Sequence, residues 1–239
     1  MTIAAQPCYK RHVPKLVDHE ERRREIARAT WQVITRDGVD AASVRSVAAE
    51  SGLSTGALRH YFADQGSLLL FAAQQTLERI VPRMGAQLAR RDRPDVEVVQ
   101  ACLEELLPLD EERHTETAVY FGLIDLTRLD PGHRDFRLWV FETSRAVYRC
   151  LVSWLAGGPA PTDSLLRTGE PQWLVPLADP VLEAQALSLQ VLMDGLAVQG
   201  LLYPQVMDGP TLRSVLRGEL DRIVGGSAGS AGSGAGGSA

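Results

Sequence analysis

Residues 42–62 read ASVRSVAAESGLSTGALRHYF. Ser43 is a natural N-cap, and Val44, Val47 and Ala48 follow at the spacing of one helical face. Ser51-Gly52-Leu53 then breaks the pattern. Gly52 can take the positive φ of a tight turn, and Leu53 is an apolar plug for the space between two helices. A second short helix is predicted from Ser54 through Tyr61, with Leu58 and Phe62, four residues apart, on its inner face. Two helices joined this way form a helix-turn-helix, whose second helix lies in the DNA major groove. Ser54, Thr55, Gly56 and Ala57 are small enough to let that helix approach DNA closely, and its N-terminus suits a phosphate oxygen.

Outward from this hairpin the signals remain helical. Upstream, Asp18 and Glu21 have capping-box spacing, and Ile26, Ala29, Thr30, Val33 and Ile34 form a stripe that Gly38 terminates. Downstream, Asp64 caps a long helix through Leu68, Leu69, Phe71, Ala72, Leu77 and Ile80, with Pro82 predicted to bend it. Further helices are expected near 95–107, 112–128, 133–156, 179–201 and 209–224. The proline-rich stretch 157–180 reads as a long loop. No alternating strand and no internal repeat occurs, so the fold class is all-α: an N-terminal three-helix DNA-binding domain and a larger C-terminal helical domain. The expected divisions are a flexible arm over 1–19, the helix-turn-helix domain over 20–66, a larger helical domain over 67–224, and a tail over 225–239 made only of Gly, Ser and Ala.

The net charge of −5 looks wrong for a nucleic-acid binder, but it is unevenly spread. Residues 1–66 hold ten Lys/Arg against eight Asp/Glu, and the remainder is acidic, so a basic end can still dock on phosphates. Cys8, Cys102 and Cys150 are far apart and read as reduced thiols of a cytoplasmic protein. No uninterrupted apolar run approaches the roughly 20 residues of a membrane span, and Met1 to Val17 lacks the apolar centre of a secretory signal. No membrane partner, metal or cofactor is expected. No nucleophile elbow, zinc-protease motif or phosphate-binding loop is present, so no catalytic residue is assigned and an enzyme is not expected.

The pattern Ser43-Val44-Arg45-Ser46-Val47-Ala48, Gly52-Leu53-Ser54-Thr55-Gly56-Ala57-Leu58, Tyr61-Phe62 and Leu68-Leu69 resembles the TetR family of repressors over about 60 residues. Leu107 to Arg113 and Leu192 to Ala197 make the remainder similar to the BetI-like branch. The resemblance implies a homodimer whose last two helices build a four-helix interface, and it makes residues 67–224 the ligand-binding and dimerisation domain. It also implies a double-stranded operator and a small-molecule inducer. The chain departs from the family pattern at Arg59, where many members have Tyr, and at Gln65, where many have Lys.

Ser43, Arg45, Ser54, Thr55, Gly56, Ala57, Arg59, His60, Tyr61 and Gln65 are the candidate DNA contacts. For each arginine the competing reading is a solvated surface charge. Arg59 can read a guanine bidentately, and Gln65 can bond a phosphate without charge. His60 has no partner at metal-ligand spacing. Tyr120, Phe121, Trp139, Tyr148, Trp154 and Met193 are the candidate pocket residues, each competing with a plain core role, and they suggest a mainly apolar or aromatic ligand. Leu182, Leu189, Met193, Leu196, Leu212 and Leu216 are the expected dimer contacts. The alternatives are a helical enzyme or structural bundle with a fortuitous hairpin, and a DNA binder with no small-molecule inducer.

Overall fold

The computed structural model describes residues 19–90, 94–128, 134–162, 165–166 and 170–230. The arm, Asp18 as a cap, Cys8 and the end of the tail lie outside them. Nine α-helices and no strand occur among the described residues. They are α1 (His19–Asp37), α2 (Val44–Glu50), α3 (Thr55–Tyr61), α4 (Gln65–Leu88), α5 (Val96–Glu104), α6 (Glu111–Arg128), α7 (Arg134–Leu155), α8 (Pro180–Leu202) and α9 (Gly209–Ser230).

The local chemistry sets the boundaries. Gly38 stops α1 at φ 88°. Ser43 caps α2 by accepting from the Ser46 amide at 3.2 Å, while the Ser46 hydroxyl accepts from the Ser43 amide at 2.9 Å. Ser54 caps α3, and Asp64 caps α4 by accepting from the Ser67 amide at 2.8 Å. α4 runs through Pro82, which lies on its exposed side. α9 continues to Ser230, beyond the expected end at 224, because extending a formed helix costs far less than nucleating one.

Ile26 and Val33 of α1, Val47 of α2, Leu58 of α3 and Leu68 and Leu69 of α4 close the core of the N-terminal head. Val119 and Leu123 of α6 are buried in that same cluster. The head core thus takes in side chains from well beyond residue 66. Thr35 of α1 and Thr115 of α6 share a hydrogen bond at 3.2 Å. Gly122 is pressed so closely to the head that a Cβ there would lie 2.2 Å from Cγ1 of Val39.

The body core joins Val99 and Leu103 of α5, Leu151 and Trp154 of α7, Leu189 and Met193 of α8, and Leu212 and Leu216 of α9. Arginines tie the helices together. Arg83 of α4 donates to Glu105 at 2.9 Å and forks onto Glu116 of α6. Arg149 of α7 forks onto Glu183 of α8 and donates to the Trp173 carbonyl at 3.0 Å, which pins the end of the 157–180 connection. Arg149 also holds the Glu183 carboxyl below its ordinary range.

α8 corrects one sequence expectation. Its 23 residues include an 18-residue window of mean hydropathy 1.3, so it is long and apolar enough to cross a membrane. Glu183 and Asp194 interrupt the apolar run, which hides this from a count of consecutive residues. One face of the helix lies in the body core.

In a helix interior alanine is favoured over glycine by about 1 kcal/mol. At Gly122 the clash with Val39 should outweigh that gain. Gly122→Ala is expected to lower stability by about 1–3 kcal/mol, the usual cost of overpacking. Val39→Ala in the same chain should restore much of it, because only a Cβ at 3.1 Å then remains. Thermal melting of both variants checks this, and a Gly122→Ala protein more stable than wild type would exclude the close fit.

Candidate nucleic-acid interface

The turn forms as its residues require. Gly52 adopts φ 67°, the Leu53 amide donates to the Ala48 carbonyl at 2.9 Å, and Leu53 packs partly buried on the head core. Leu58 and Phe62 point inward and are buried. Burying each contributes about 1.5–3 kcal/mol and fixes the rotation of α3.

That rotation decides which residues face out. Thr55, Gly56, Arg59 and His60 recur at i, i+1, i+4 and i+5 and are exposed along one face. Ala57 and Tyr61 flank it, half-buried. Tyr61 packs on the head core, and His60 stands edge-on to its ring at 5.6 Å. Arg45 projects from α2 away from Val47 and Ala48 and is exposed.

Neither Arg45 nor Arg59 is engaged by another described residue, whereas Arg36 is held by Asp37 and Glu50, and Arg22 by Glu25. Ser43 and Ser54 are occupied as caps, so each can offer DNA only its remaining hydroxyl valence. Gln65 sits half-buried at the start of α4. The arrangement can present a helix face with one long cation to base edges and a second cation to the backbone.

Sequence reasoning missed the parts that hold this face in place. Arg23 of α1 lies over the Phe71 ring at 4.8 Å and the Phe62 ring at 5.3 Å. Arg79 of α4 lies over Trp31 at 4.6 Å. Val39 and Gly122 make the contact with the body already described. A glycine inside the α6 pattern was the available signal, since such a residue marks a close approach.

The candidate residues of the body are not brought together as a set. Tyr148, Trp154 and Met193 are buried in the body core, and Phe121 packs against it. Tyr120 stands at the surface, edge-on to Phe121 at 5.1 Å. Trp139 is half exposed, which corrects its assignment to an interior pocket. Leu189, Met193, Leu196, Leu212 and Leu216 are at most 4% exposed within the single chain, so they cannot be contacts for a partner; Leu182 is partly buried against the same core. The outward apolar residues of α8 are Val181, Leu187, Val191 and Leu202 instead.

An all-helical head presenting a capped helix-turn-helix, joined to a helical body, defines a DNA-binding transcriptional regulator. Comparisons give the family. Residues 26–70 match the profile of bacterial regulatory proteins of the tetR family, and residues 95–225 match that of the BetI-type transcriptional repressor C-terminal domain. The chain is 34% identical over 216 residues to the HTH-type transcriptional regulator PksA of Bacillus subtilis, covering 88% of this chain and 94% of that protein. It is 24% identical over 210 residues to BetI of Vibrio campbellii, covering 88% and 96%. Among solved structures, a transcriptional regulator from Rhodococcus sp. Rha1 superposes with a TM-score of 0.67 at 24% identity, covering 85% of this chain and 96% of that one. A regulator from Saccharomonospora viridis in complex with choline gives 0.63 at 21%, covering 86% and 96%. The chain belongs to the tetR family of bacterial transcriptional regulators, with a BetI-type C-terminal domain.

Arg59→Ala is expected to weaken binding to a cognate site by about 1–3 kcal/mol and to relax one base position. Arg45→Ala should weaken binding to all sequences and flatten the salt dependence by about one phosphate contact. Fluorescence anisotropy across a salt series separates the two effects. Undiminished operator binding by the Arg59→Ala protein would remove it from the reading face.

Proposed function

We propose that this chain is a repressor that binds a palindromic operator as a homodimer and leaves it when a small molecule occupies the body. The outward face of α3, with Arg59 and neighbouring Arg45 engaged by no described residue, is the observation that carries the DNA half of this reading. Ser43, Ser54, Thr55, Gly56, Ala57, His60, Tyr61 and Gln65 supply backbone approach and phosphate bonds around those two cations. Residues 20–66 form the reading head, residues 67–224 the sensing and dimerising body, and the protein works in the cytoplasm.

The outward face of α8 is the dimer surface in this reading. Val181, Leu187, Val191 and Leu202 occupy it at spacings of one helical face, and each is at least 43% exposed in the single chain. A two-fold pairing of that face presents two equivalent reading helices about 34–36 Å apart, as successive major grooves require.

Ligand release is supported by what related folds hold. One relative in fold was solved with choline, and the multidrug-binding EbrR, with a TM-score of 0.53, was solved with ethidium. Release follows from linkage: a ligand that prefers a body arrangement with a different head spacing lowers DNA affinity by the same factor. α6 connects the two events, because its Val119 and Leu123 belong to the head core while Glu116 is held by Arg83.

The central experiment is binding of the full chain to the DNA upstream of its own gene. Specific, salt-sensitive binding over a random duplex is expected, and equal affinity for both would leave the helical-bundle alternative standing. Val191→Glu should shift sedimentation from dimer to monomer and weaken operator binding, with the helical signal retained. A Val191→Glu protein that remains dimeric would place the interface elsewhere.

A further inference from the structure

Two arginines of the body, Arg145 and Arg149, are buried, and they are not satisfied alike. Arg149 of α7, 5% exposed, donates from Nε and Nη2 to Glu183 and from Nη1 to the Trp173 carbonyl. Arg145, one turn earlier on the same helix and 8% exposed, makes a single hydrogen bond among the described residues, from Nη1 to Oε1 of Gln190 at 3.1 Å. Its Nη2 stands 3.5 Å from Glu183, a carboxylate already engaged by Arg149. Its Nε is enclosed and has no hydrogen-bond partner.

The unmet part has a definite shape. Nε and Nη2 form the side edge of the guanidinium plane, two parallel N–H donors that match the two oxygens of a carboxylate. Charge points the same way. Two buried guanidiniums share one largely buried carboxylate, Glu183, while Glu142 is half exposed and reaches only Arg149, at 3.8 Å. A buried cation without its own acceptor is costly, so such groups are ordinarily paired and fully bonded. Apolar surface adjoins the edge. Phe141 lies one turn before Arg145, with its ring centroid 5.7 Å from Cζ, and Leu138 follows on the same side one turn further back. Both side chains are about half exposed.

An ordered water on Nε is the competing reading. It would satisfy the donor but leave the shortage of negative charge as it is.

We propose that the Nε and Nη2 edge of Arg145 is a receptor for an organic carboxylate whose apolar body lies against Phe141 and Leu138. Because Nε is enclosed, entry requires the half-exposed Phe141 ring beside it to turn aside. The site goes beyond the operator reading and does not depend on it, and its test uses no DNA.

Calorimetric titration of the full chain uses octanoate and benzoate as probes, with octanamide and benzamide as their uncharged matches and acetate as a carboxylate without an apolar body. At least one of the two acids should bind, at least about tenfold more tightly than its amide or than acetate. Gln190→Glu sets a carboxylate against the same guanidinium and should weaken the bound acid by about tenfold or more, with the helical signal retained. Phe141→Ala, at an exposed position, should weaken it severalfold through lost apolar contact. Arg145→Lys keeps the charge without the fork and should weaken it by about tenfold. If that protein fails to fold, the other two variants decide. Absence of binding by both acids overturns the proposal and leaves the edge to water or to a side chain of a second subunit. Equal uptake of an acid and its amide, or of an acid and acetate, overturns it too, as does unchanged affinity in the Gln190→Glu and Phe141→Ala proteins.

Discussion

Between Gly122 of α6 and Val39 of the head there is no room for one methyl group. That contact, with the burial of Val119 and Leu123 in the head, sets how the two parts of the molecule relate. A head of about 50 residues buries a small fraction of its chain and is marginal alone. Borrowing two side chains from α6 completes its core. The same borrowing means that α6 cannot shift along its axis without repacking the head. Glu116, two turns from Gly122, is clamped by Arg83 of α4, the helix that continues directly from the reading helix. The head is thus held from two directions, by chain continuity through α4 and by packing through α6. Pro82, which the sequence predicts to bend α4, lies exposed within the continuous helix.

Features determined by neighbours a few residues away were legible in the sequence. The caps at Ser43 and Asp64, the positive φ of Gly52 and the inward set of Leu58 and Phe62 depend on spacing within one turn or one hairpin, and all appear. The outward face of α3 follows from them. What could not be read is set by contacts far apart in the chain. α8 is apolar around most of its circumference, so periodicity does not distinguish the side packed on α7 and α9 from the side left open. Leu189 and Met193, expected at a partner interface, face the chain's own core, whereas Val191 and Leu202 are exposed. α6 had the same ambiguity: nothing local indicates that Val119 turns to the head and Glu116 to Arg83. Trp139 illustrates a further limit, since a large aromatic residue is drawn inward on average but stands half exposed at the start of α7.

The charges are organised on two principles. Inside the body, arginine and glutamate are paired across helices: Arg83 with Glu105 and Glu116, Arg149 with Glu183, Arg213 with Glu104. The most buried of these, Arg149 with Glu183, contributes little net stability, because desolvation offsets most of the attraction, but breaking it strands a charge; the exposed Arg213 pair is screened by solvent. They act as registers that define which helix turn meets which. On the head, Arg45 and Arg59 are engaged by no described residue, and an exposed arginine costs nothing to leave so. Their freedom alone would mean little. It gains weight because the capped geometry of α2 and α3 places them beside a face of small residues where a polyanion can approach.

The distance over which the body must act on that face is a constraint of its own. α6 has 18 residues and spans about 27 Å at 1.5 Å per residue. Glu116 and Gly122 lie on it six residues apart, so the turn that engages Arg83 is close to the turn that meets Val39. No chain of small displacements through the core is required. A rigid helix fixed at the head by a contact without slack transmits any rotation imposed on its middle, and a close-packed contact tends to have discrete arrangements rather than a continuous range. α6 is thus an element of the body already seated in the head core, and two packings of its contact with Val39 would suffice to couple the two parts.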